Sequence, residues 1–180
     1  MPVLTTSIAG LFVVRIPEHK DNRGFFRESY RLLELREAIG RDVSFAQSNH
    51  SRSAPGVLRG FHAEPWDKLL YVVHGTALCV VADVCPTSPT FGTTEGFLLG
   101  DSPGVRDRLF VAEGLANAFQ AISECDYVNE VSAQYSPGGR RGFAWDDPTL
   151  GVDWPVRPPT LSEQDQSLPT LRKAFGQRIS

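Results

Sequence analysis

Short apolar runs separated by turn residues recur along this 180-residue sequence, and they constrain its fold more than any other feature. Such runs occupy residues 11–16, 25–30, 43–47, 56–61, 69–73, 77–84, 109–111 and 127–133. Short strands at this spacing, bounded by Gly, Pro, Asn and Asp, are typical of a sandwich or a barrel. The sequence therefore predicts an all-β fold.

Helices are expected only as short elements outside the sheets. In SYRLLELREAIG, Leu32, Leu35 and Ile39 follow helical spacing. Ser29 is available to cap this helix and Gly40 to end it. A second short helix is predicted in LPTLRKAF, where apolar residues again lie three and four apart.

The length of the chain fits one globular domain, so residues 1–180 are interpreted as a single domain. Residues 136–165 are rich in Pro, Gly and Asp, yet they also contain two tryptophans, a leucine and a valine that can anchor them. We therefore predict that this segment is an ordered surface loop and not a linker between domains.

Composition and charge exclude several classes of function. A net charge of −3 gives no general electrostatic reason to bind nucleic acid or an anionic membrane. No apolar run is long enough to cross a bilayer, and the N-terminal stretch lacks a signal-peptide pattern. Cys79, Cys85 and Cys125 have neither zinc nor redox spacing. We expect a cytoplasmic protein with buried thiols.

The segment DNRGFFRES combines charged and aromatic residues on a predicted strand. Arg23 lies at a turn, and alternation along the strand would put Phe26 and Glu28 on one face. Such a group could hold a phosphate, stack on a base and accept from a base N–H. The segment by itself favours the alternative of a solvated hairpin with a surface ion pair.

Amides recur in the next predicted strand, FAQSNHS. Alternation puts Phe45, Gln47 and Asn49 on one face. Buried amides need hydrogen-bond partners, so successive inward amides indicate a polar cavity.

The stretch GVLRGFH places ionisable groups in a strand. Regular alternation aligns Gly60 with His62, and Arg59 with Phe61, unless a bulge at Gly60 reorients the strand. A single histidine in a strand is usually structural.

Two other ionisable residues favour a functional role for His62. Lys68 follows it closely, and Asp165, in the distant LSEQD, could orient an imidazole if the chain folds back. A metal is not predicted. His62 and Glu64 supply two ligands, and EGLANAF has Asn117 where a metal-binding cupin would carry a further histidine.

Several motifs, taken in order, resemble the dTDP-4-dehydrorhamnose 3,5-epimerase family over nearly the whole chain. They are DNRGFFRESY, FAQSNHSRSAPGVLRGFH, SPTFG, EGLANAF, QYSPGGRRGFAWDDPTLGVDWP and LSEQD. The resemblance implies a homodimeric jelly-roll cupin barrel with short peripheral helices. It also implies an isomerase whose ligand is a nucleotide-diphosphate 4-keto-6-deoxy sugar, with no metal or organic cofactor.

The resemblance also implies roles for individual residues. The positions matching nucleotide- and diphosphate-binding residues are Arg23, Phe26, Glu28, Gln47, Asn49 and Arg59. His62 matches the catalytic base, Asp165 its partner and Lys68 the lysine near the sugar. A histidine can take the proton next to the C4 ketone near neutral pH, and a lysine can stabilise the enolate oxygen.

The sequence departs from the family at the acid. In the family, a tyrosine six residues before the tyrosine of the YSP segment delivers a proton to the opposite face of the sugar. Counting back from Tyr135 gives Asn129, and an amide is no acid at neutral pH. The family's second histidine is Asn117, and the lysine of its last motif is Gln164. Tyr135, Asn129 and Asn117 are still expected to contact substrate.

Three explanations for Asn129 are open. Tyr127, two residues earlier on the same strand face, could be the acid after a small register shift, although an ordinary packed aromatic is slightly favoured. The enzyme could catalyse a single epimerisation or a related enolisation, with water or Tyr71 returning the proton. Or the chain could be a repurposed cupin that binds a nucleotide sugar without turnover, or that acts on another carbonyl substrate. The leading prediction is an epimerase or isomerase with His62 as base.

Overall fold

The computed structural model describes residues 1–101, 106–136, 138–139 and 141–176. Within them the chain forms strands β1 (Val3–Thr5), β2 (Leu11–Val14), β3 (His19–Asp21), β4 (Gly24–Phe26), β5 (Gln47–Ser53), β6 (Leu58–Ala63), β7 (Lys68–His74), β8 (Thr76–Asp83), β9 (Thr94–Gly100), β10 (Arg108–Val111), β11 (Leu115–Ala121), β12 (Cys125–Val131) and β13 (Arg141–Gly142). The helices are α1 (Leu32–Ile39), α2 (Glu163–Gln166) and α3 (Leu171–Phe175). The prediction of an all-β jelly-roll cupin barrel with short peripheral helices is confirmed.

Two antiparallel sheets make up the barrel. The larger has the order β1-β2-β10-β7-β12-β5, and the smaller has the order β13-β6-β11-β8-β9. Apolar side chains from both sheets meet between them, among them Leu70 and Val111 from the larger sheet and Val81 and Leu115 from the smaller. This cluster fixes the spacing of the sheets and closes one part of the interior, while polar residues line another part.

The long segment after β12 covers the outer face of the smaller sheet. Phe143 stacks on Phe61 with ring centroids 4.7 Å apart, and Trp154 packs against the same ring. Leu150 and Trp154 are buried, as expected of anchors. The prediction of an ordered loop is therefore correct for the described part of 136–165; residues 137 and 140 lie outside the described residues.

Helix α1 ends where the sequence predicts, because Gly40 adopts a left-handed conformation with φ of 77°. Its predicted start is wrong: the cap position is Arg31, which makes no side-chain capping bond, and not Ser29. Leu35 from this helix packs into an apolar cluster on the outer face of the larger sheet. The second predicted helix is α3, which begins one residue after the capping hydroxyl of Thr170.

Two predicted strands have different bounds. The strand at 25–30 ends at Phe26, so Glu28 does not share a strand face with Phe26. The strand expected at 43–47 begins only at Gln47 and continues to Ser53. Phe45 therefore lies before the strand, with its ring 5.7 Å from that of Tyr30 in the cluster beside α1, and it does not share the cavity face of Asn49.

Two further observations concern the thiols and membrane spans. Cys79 and Cys125 are buried, and burial raises the pKa of the Cys125 thiol to about 11. The prediction that all three thiols are buried is wrong for Cys85, which is exposed. Among the described residues, no helix has the length and apolar character that a bilayer crossing requires.

Candidate active site

A cavity of about 290 Å³ opens between the two sheets, and most of its lining is polar. The smaller sheet and the turn after β6 supply Arg59, His62, Glu64, Asn117 and Phe119, and the larger sheet supplies Asn49, Ser51, Tyr127 and Asn129. Eight of these nine residues lie in strands β5, β6, β11 or β12 at inward positions of regular alternation or beside a bulge. The polar cavity predicted from the strand amides is therefore present between the sheets.

Arg59 and His62 both reach this cavity although they lie three residues apart. A regular strand would turn them to opposite faces. The pairing of β6 with β11 shifts register between His62↔Asn117 and Arg59↔Phe119, so the bulge considered from the sequence is present. Gly60 has φ of +124°, and a Cβ there would lie 2.5 Å from the Cβ of Ala118. Only glycine fits this position.

His62 and Asp165 form a hydrogen-bonded pair, as the sequence predicts, in which the carboxylate is buried and the His62 side chain is 16% exposed. Nε2 of His62 lies 2.7 Å from Oδ1 of Asp165, whose residue is 4% exposed. The carboxylate accepts a hydrogen from Nε2, so the imidazole lone pair lies on Nδ1. The returning chain is held beside β6, where Leu58 N donates to Thr160 O and Thr160 N donates to Gly56 O, each at 2.9 Å. Within the returning segment, Ser162 Oγ accepts from Asp165 N at 3.1 Å and caps α2.

Lys68 lies behind the cavity wall and not in it. The residue is 1% exposed. Its Nζ donates to Asn117 Oδ1 at 2.6 Å and to the His62 carbonyl at 3.1 Å, and it forms an ion pair with Glu64 at 2.5 Å. Lys68 is therefore near the site, as predicted, but its ammonium contacts protein acceptors.

Glu64, Ser51 and Phe119 line the cavity but were not assigned a role from the sequence. The HAE spacing carried a signal for Glu64, since alternation puts it on the face of His62. Ser51 follows Asn49 at the same alternation. Phe119 had no such signal, because the alanine-rich β11 was not predicted as a strand.

Tyr127 is both a packed aromatic and a residue of the cavity lining, as its two interpretations from the sequence require. Its ring stacks on Phe119 with centroids 4.0 Å apart and planes 11° from parallel, as a packed aromatic would. It also lines the cavity, where its Oη lies 3.4 Å from Nδ2 of Asn117. Burial raises the pKa of the Tyr127 phenol well above its usual value, so the phenol keeps its proton at neutral pH.

Asn129 lies in the cavity wall formed by the larger sheet, at the position where the family resemblance predicts an acid. It lies opposite Asn49 of β5 on one side and Leu70 of β7 on the other. Its Oδ1 is buried and has no hydrogen-bond partner among the described residues. A buried acceptor without a partner costs about 1–3 kcal/mol, and Asn129 lines the cavity, so a bound ligand could supply that partner.

The other amides and the arginine of the site are held by neighbours. Gln47 Nε2 donates to Asn49 Oδ1 at 2.6 Å, and Gln47 Oε1 accepts from the backbone N–H of Tyr135 at 2.9 Å. The Tyr135 side chain is exposed. Arg59 donates through Nε to Ser53 Oγ at 3.1 Å and presents positive charge to the cavity.

Arg23, Phe26 and Glu28 do not line the cavity in the single chain. Arg23 and Phe26 lie on the separate β3–β4 hairpin, where Arg23 pairs with Asp21 and Phe26 is 67% exposed. Glu28 pairs with Arg31. Their assignment to the nucleotide stays a prediction.

Among the described residues, no three His, Cys, Asp or Glu side chains are grouped so that they could hold a metal ion. Glu64 and His62 face one cavity, but the carboxylate is paired with Lys68 and the imidazole with Asp165. The chemistry that this arrangement can support is proton transfer.

Comparison with known proteins gives a consistent result. Residues 5–173 match the family described as dTDP-4-dehydrorhamnose 3,5-epimerase. The dTDP-4-dehydrorhamnose 3,5-epimerase of Shigella flexneri is 38% identical over 170 residues, which cover 92% of this chain and 93% of that protein.

Solved structures extend the likeness to the fold. NovW, a 4-keto-6-deoxy sugar epimerase of Streptomyces spheroides, superposes with a TM-score of 0.92 at 34% identity, covering 96% of this chain and 88% of that one. ChmJ, a 3'-monoepimerase of Streptomyces bikiniensis in complex with dTDP-quinovose, gives 0.87 at 33% identity, covering 93% and 87%. The chain therefore belongs to the dTDP-4-dehydrorhamnose 3,5-epimerase family.

Proposed function

We propose that the protein epimerises a dTDP-4-keto-6-deoxyhexose at a carbon next to the 4-keto group. The observation that carries this proposal is the hydrogen-bonded His62–Asp165 pair on the wall of a polar cavity, with an Nε2–Oδ1 distance of 2.7 Å. The established members of the family to which the chain is similar act on this class of sugar.

His62 is the proposed base. With Nε2 donating to Asp165, Nδ1 accepts the proton from the carbon, and the carboxylate stabilises the imidazolium that forms. The C–H electron pair becomes the C=C bond of an enolate, and the carbonyl electrons move to oxygen. This half of the reaction uses groups on the smaller sheet and on the returning segment at Asp165.

Tyr127 is the proposed acid for the opposite face. Its phenol lines the cavity from the larger sheet, is protonated at neutral pH and belongs to the wall facing His62. Asn129 has no acidic proton. We infer that a single titratable group on this wall limits the enzyme to one epimerisation, as in the 3'-monoepimerase to which the chain is similar.

The rest of the ligand is assigned by charge and by the family pattern. Arg59 supplies positive charge for the diphosphate, and Asn49 supplies amide hydrogen bonds beside it. Arg23, Phe26 and Glu28 are proposed to bind the nucleotide. A homodimer is also proposed, and sedimentation analysis should give a mass about twice the 19.8 kDa of the chain.

Hydrogen–deuterium exchange tests the proposal. The protein is incubated with a dTDP-4-keto-6-deoxyhexose in deuterated water, and NMR follows the signals at C3 and C5. We expect His62-dependent deuterium at one of the two carbons. Deuterium at both would refute the single epimerisation, and no deuterium at either would refute the enzymatic function.

A second candidate function is binding without turnover. The amides at Asn117 and Asn129 favour it, because neither can exchange a proton with carbon. Calorimetric titration with dTDP separates the two: affinity for dTDP together with absence of exchange would support a binding protein.

A further inference from the structure

The ammonium of Lys68 has as many acceptors as it has hydrogens. An ammonium carries three N–H donors and no acceptor. Nζ contacts Asn117 Oδ1 at 2.6 Å, the His62 carbonyl oxygen at 3.1 Å and Glu64 Oε2 at 2.5 Å. A sugar oxygen could receive a hydrogen from Lys68 only if one of these contacts were broken, and the residue, 1% exposed, is not part of the cavity lining.

Lys68 also determines how the Asn117 amide is oriented. Because the ammonium only donates, the atom it contacts must be the amide oxygen, and the amide nitrogen must point the other way. That nitrogen lies 3.4 Å from Tyr127 Oη. An amide nitrogen carries two hydrogens, and no described residue accepts the second. Asn117 itself lines the cavity.

The position of Asn117 relative to the base matches the chemistry of an enolisation. Asn117 and His62 are direct partners across β11 and β6, and partners in an antiparallel pair have Cβ atoms about 4.5–5.5 Å apart. In an α-keto C–H, the carbon that loses the proton is bonded to the carbonyl carbon, so base and oxygen donor must be neighbours. His62 and Asn117 are such neighbours.

We infer that Asn117 is a catalytic residue whose amide N–H donates to the oxygen that becomes the enolate, and that Lys68 is a positioning residue which orients and polarises that amide. The inference rests on the proposed function and assigns the electrophile within it. When His62 takes the carbon-bound proton, negative charge develops on the carbonyl oxygen, and the amide hydrogen bond strengthens without giving up its proton. When the carbon is reprotonated, the carbonyl re-forms and the bond weakens again.

The same contact orients the phenolic O–H of Tyr127. Its Oη accepts from Asn117, so the phenolic hydrogen is directed away from that amide. One amide thus contributes to both proposed roles: it faces the oxygen and it sets the orientation of the phenol.

Exchange kinetics on Asn117 variants test the inference. Asn117→Asp keeps an acceptor for Lys68 but has no N–H, and Asn117→Leu removes both. We expect exchange kcat to fall about 10²- to 10³-fold in both variants, the range seen when one oxyanion donor is removed. The Kd for dTDP should change less than threefold, because the inferred hydrogen bond is to the sugar and not to the nucleotide. Gln120→Met is the control: this buried amide on β11 bonds to Val156, outside the cavity, and the variant should exchange at the wild-type rate per folded molecule.

Lys68 is tested together with its carboxylate, because Lys68→Met alone would leave Glu64 unpaired. The Lys68→Met, Glu64→Gln double variant should lower kcat with little change in KM, and adding Asn117→Leu should cause no further loss. Additive losses would overturn the positioning role.

The outcomes separate the inference from the function on which it rests. If wild type exchanges, His62→Asn does not and the Asn117 variants exchange at the wild-type kcat, the inference is wrong and the function stands. If wild type itself does not exchange, both are wrong.

Discussion

The two walls of the cavity differ in what they can do to a proton. The smaller sheet contributes His62, which is hydrogen-bonded to a buried carboxylate, while the larger sheet contributes amides, a serine and one buried phenol. Both walls are polar, yet the one histidine among the described lining residues belongs to the smaller sheet. Family membership does not by itself specify the stereochemical outcome, because function depends on the residues of the site, and the wall of the larger sheet has Asn129 where the family resemblance predicts an acid.

The largest effect is expected from removing the base. His62→Asn should lower exchange about 10²- to 10⁴-fold, the usual contribution of general base catalysis, measured by NMR in deuterated water. His50→Asn is the matched control, because His50 lies on β5 outside the cavity lining and pairs with Asp126. Equal losses in the two variants would show that the contrast between the walls is misassigned.

The bulge that brings Arg59 and His62 to one wall should be the most sensitive backbone position. Gly60→Ala puts a Cβ 2.5 Å from the Cβ of Ala118 at φ of +124°. We expect a loss of about 2–4 kcal/mol in the free energy of unfolding, from strain and overpacking together, measured by urea denaturation. Gly96→Ala on β9 is the control: the nearest atom, Leu78 Cδ1, would be 3.6 Å away, and its stability should hardly change.

This bulge also shows how far sequence reasoning reached. Turn residues and apolar runs predict the β class, and the family resemblance implies the His62–Asp165 pairing across 103 positions. Alternation alone could not choose between a regular and a bulged β6, since both are compatible with the residues. Whether β6 is bulged depends on the close approach of Ala118 to Gly60. Ala118 belongs to β11, which was not predicted as a strand because alanine has a low strand propensity.

The polar edge strand β5 was the other element whose bounds the sequence did not predict. β5 has the sequence QSNHSRS, which lacks the apolar alternation that marks a strand, and tertiary pairing with β12 imposes the extended conformation. Lys68 shows a similar limit within the site. The sequence predicts its proximity to the sugar, but its three protein acceptors follow from packing that no local pattern specifies.

The wall that faces the base is tested by Tyr127→Phe. The substitution keeps the stacking on Phe119 and removes the hydroxyl. We expect epimerised product to fall about 10²-fold, because the acid is lost, while His62-dependent exchange of the abstracted proton falls less. Product analysis and NMR exchange, run on the same sample, give the two rates. Unchanged product formation would rule out Tyr127 as the acid and leave water or Tyr71 as the proton donor.

Asn129 offers a smaller and opposite effect. Its buried Oδ1 has no partner among the described residues, so replacing the amide by a side chain of similar volume should remove a cost. We expect Asn129→Leu to raise the free energy of unfolding by about 1 kcal/mol and to weaken binding of the sugar nucleotide. Thermal unfolding and calorimetry measure the two. A destabilised variant would mean that the amide has a structural role on this wall.

The smallest effect is a difference in alkaline stability between wild type and Tyr127→Phe. Burial raises the pKa of Tyr127 in the folded protein above the value of about 10 expected in the unfolded chain. Below pH 10 the phenol is protonated in both the folded and the unfolded state, so the full contribution of Tyr127 to the free energy of unfolding is present. Above pH 10 the unfolded state loses the proton and the folded state keeps it, so this contribution is lost as pH rises.

The stability of wild type should therefore decline more steeply than that of the variant between pH 9.5 and 11. Denaturation at matched ionic strength measures both slopes, and Cys79 and Cys125 are present in both proteins. Parallel slopes would mean that the phenol is accessible enough to ionise in the folded state, and the wall would then be less buried than its stacking on Phe119 indicates.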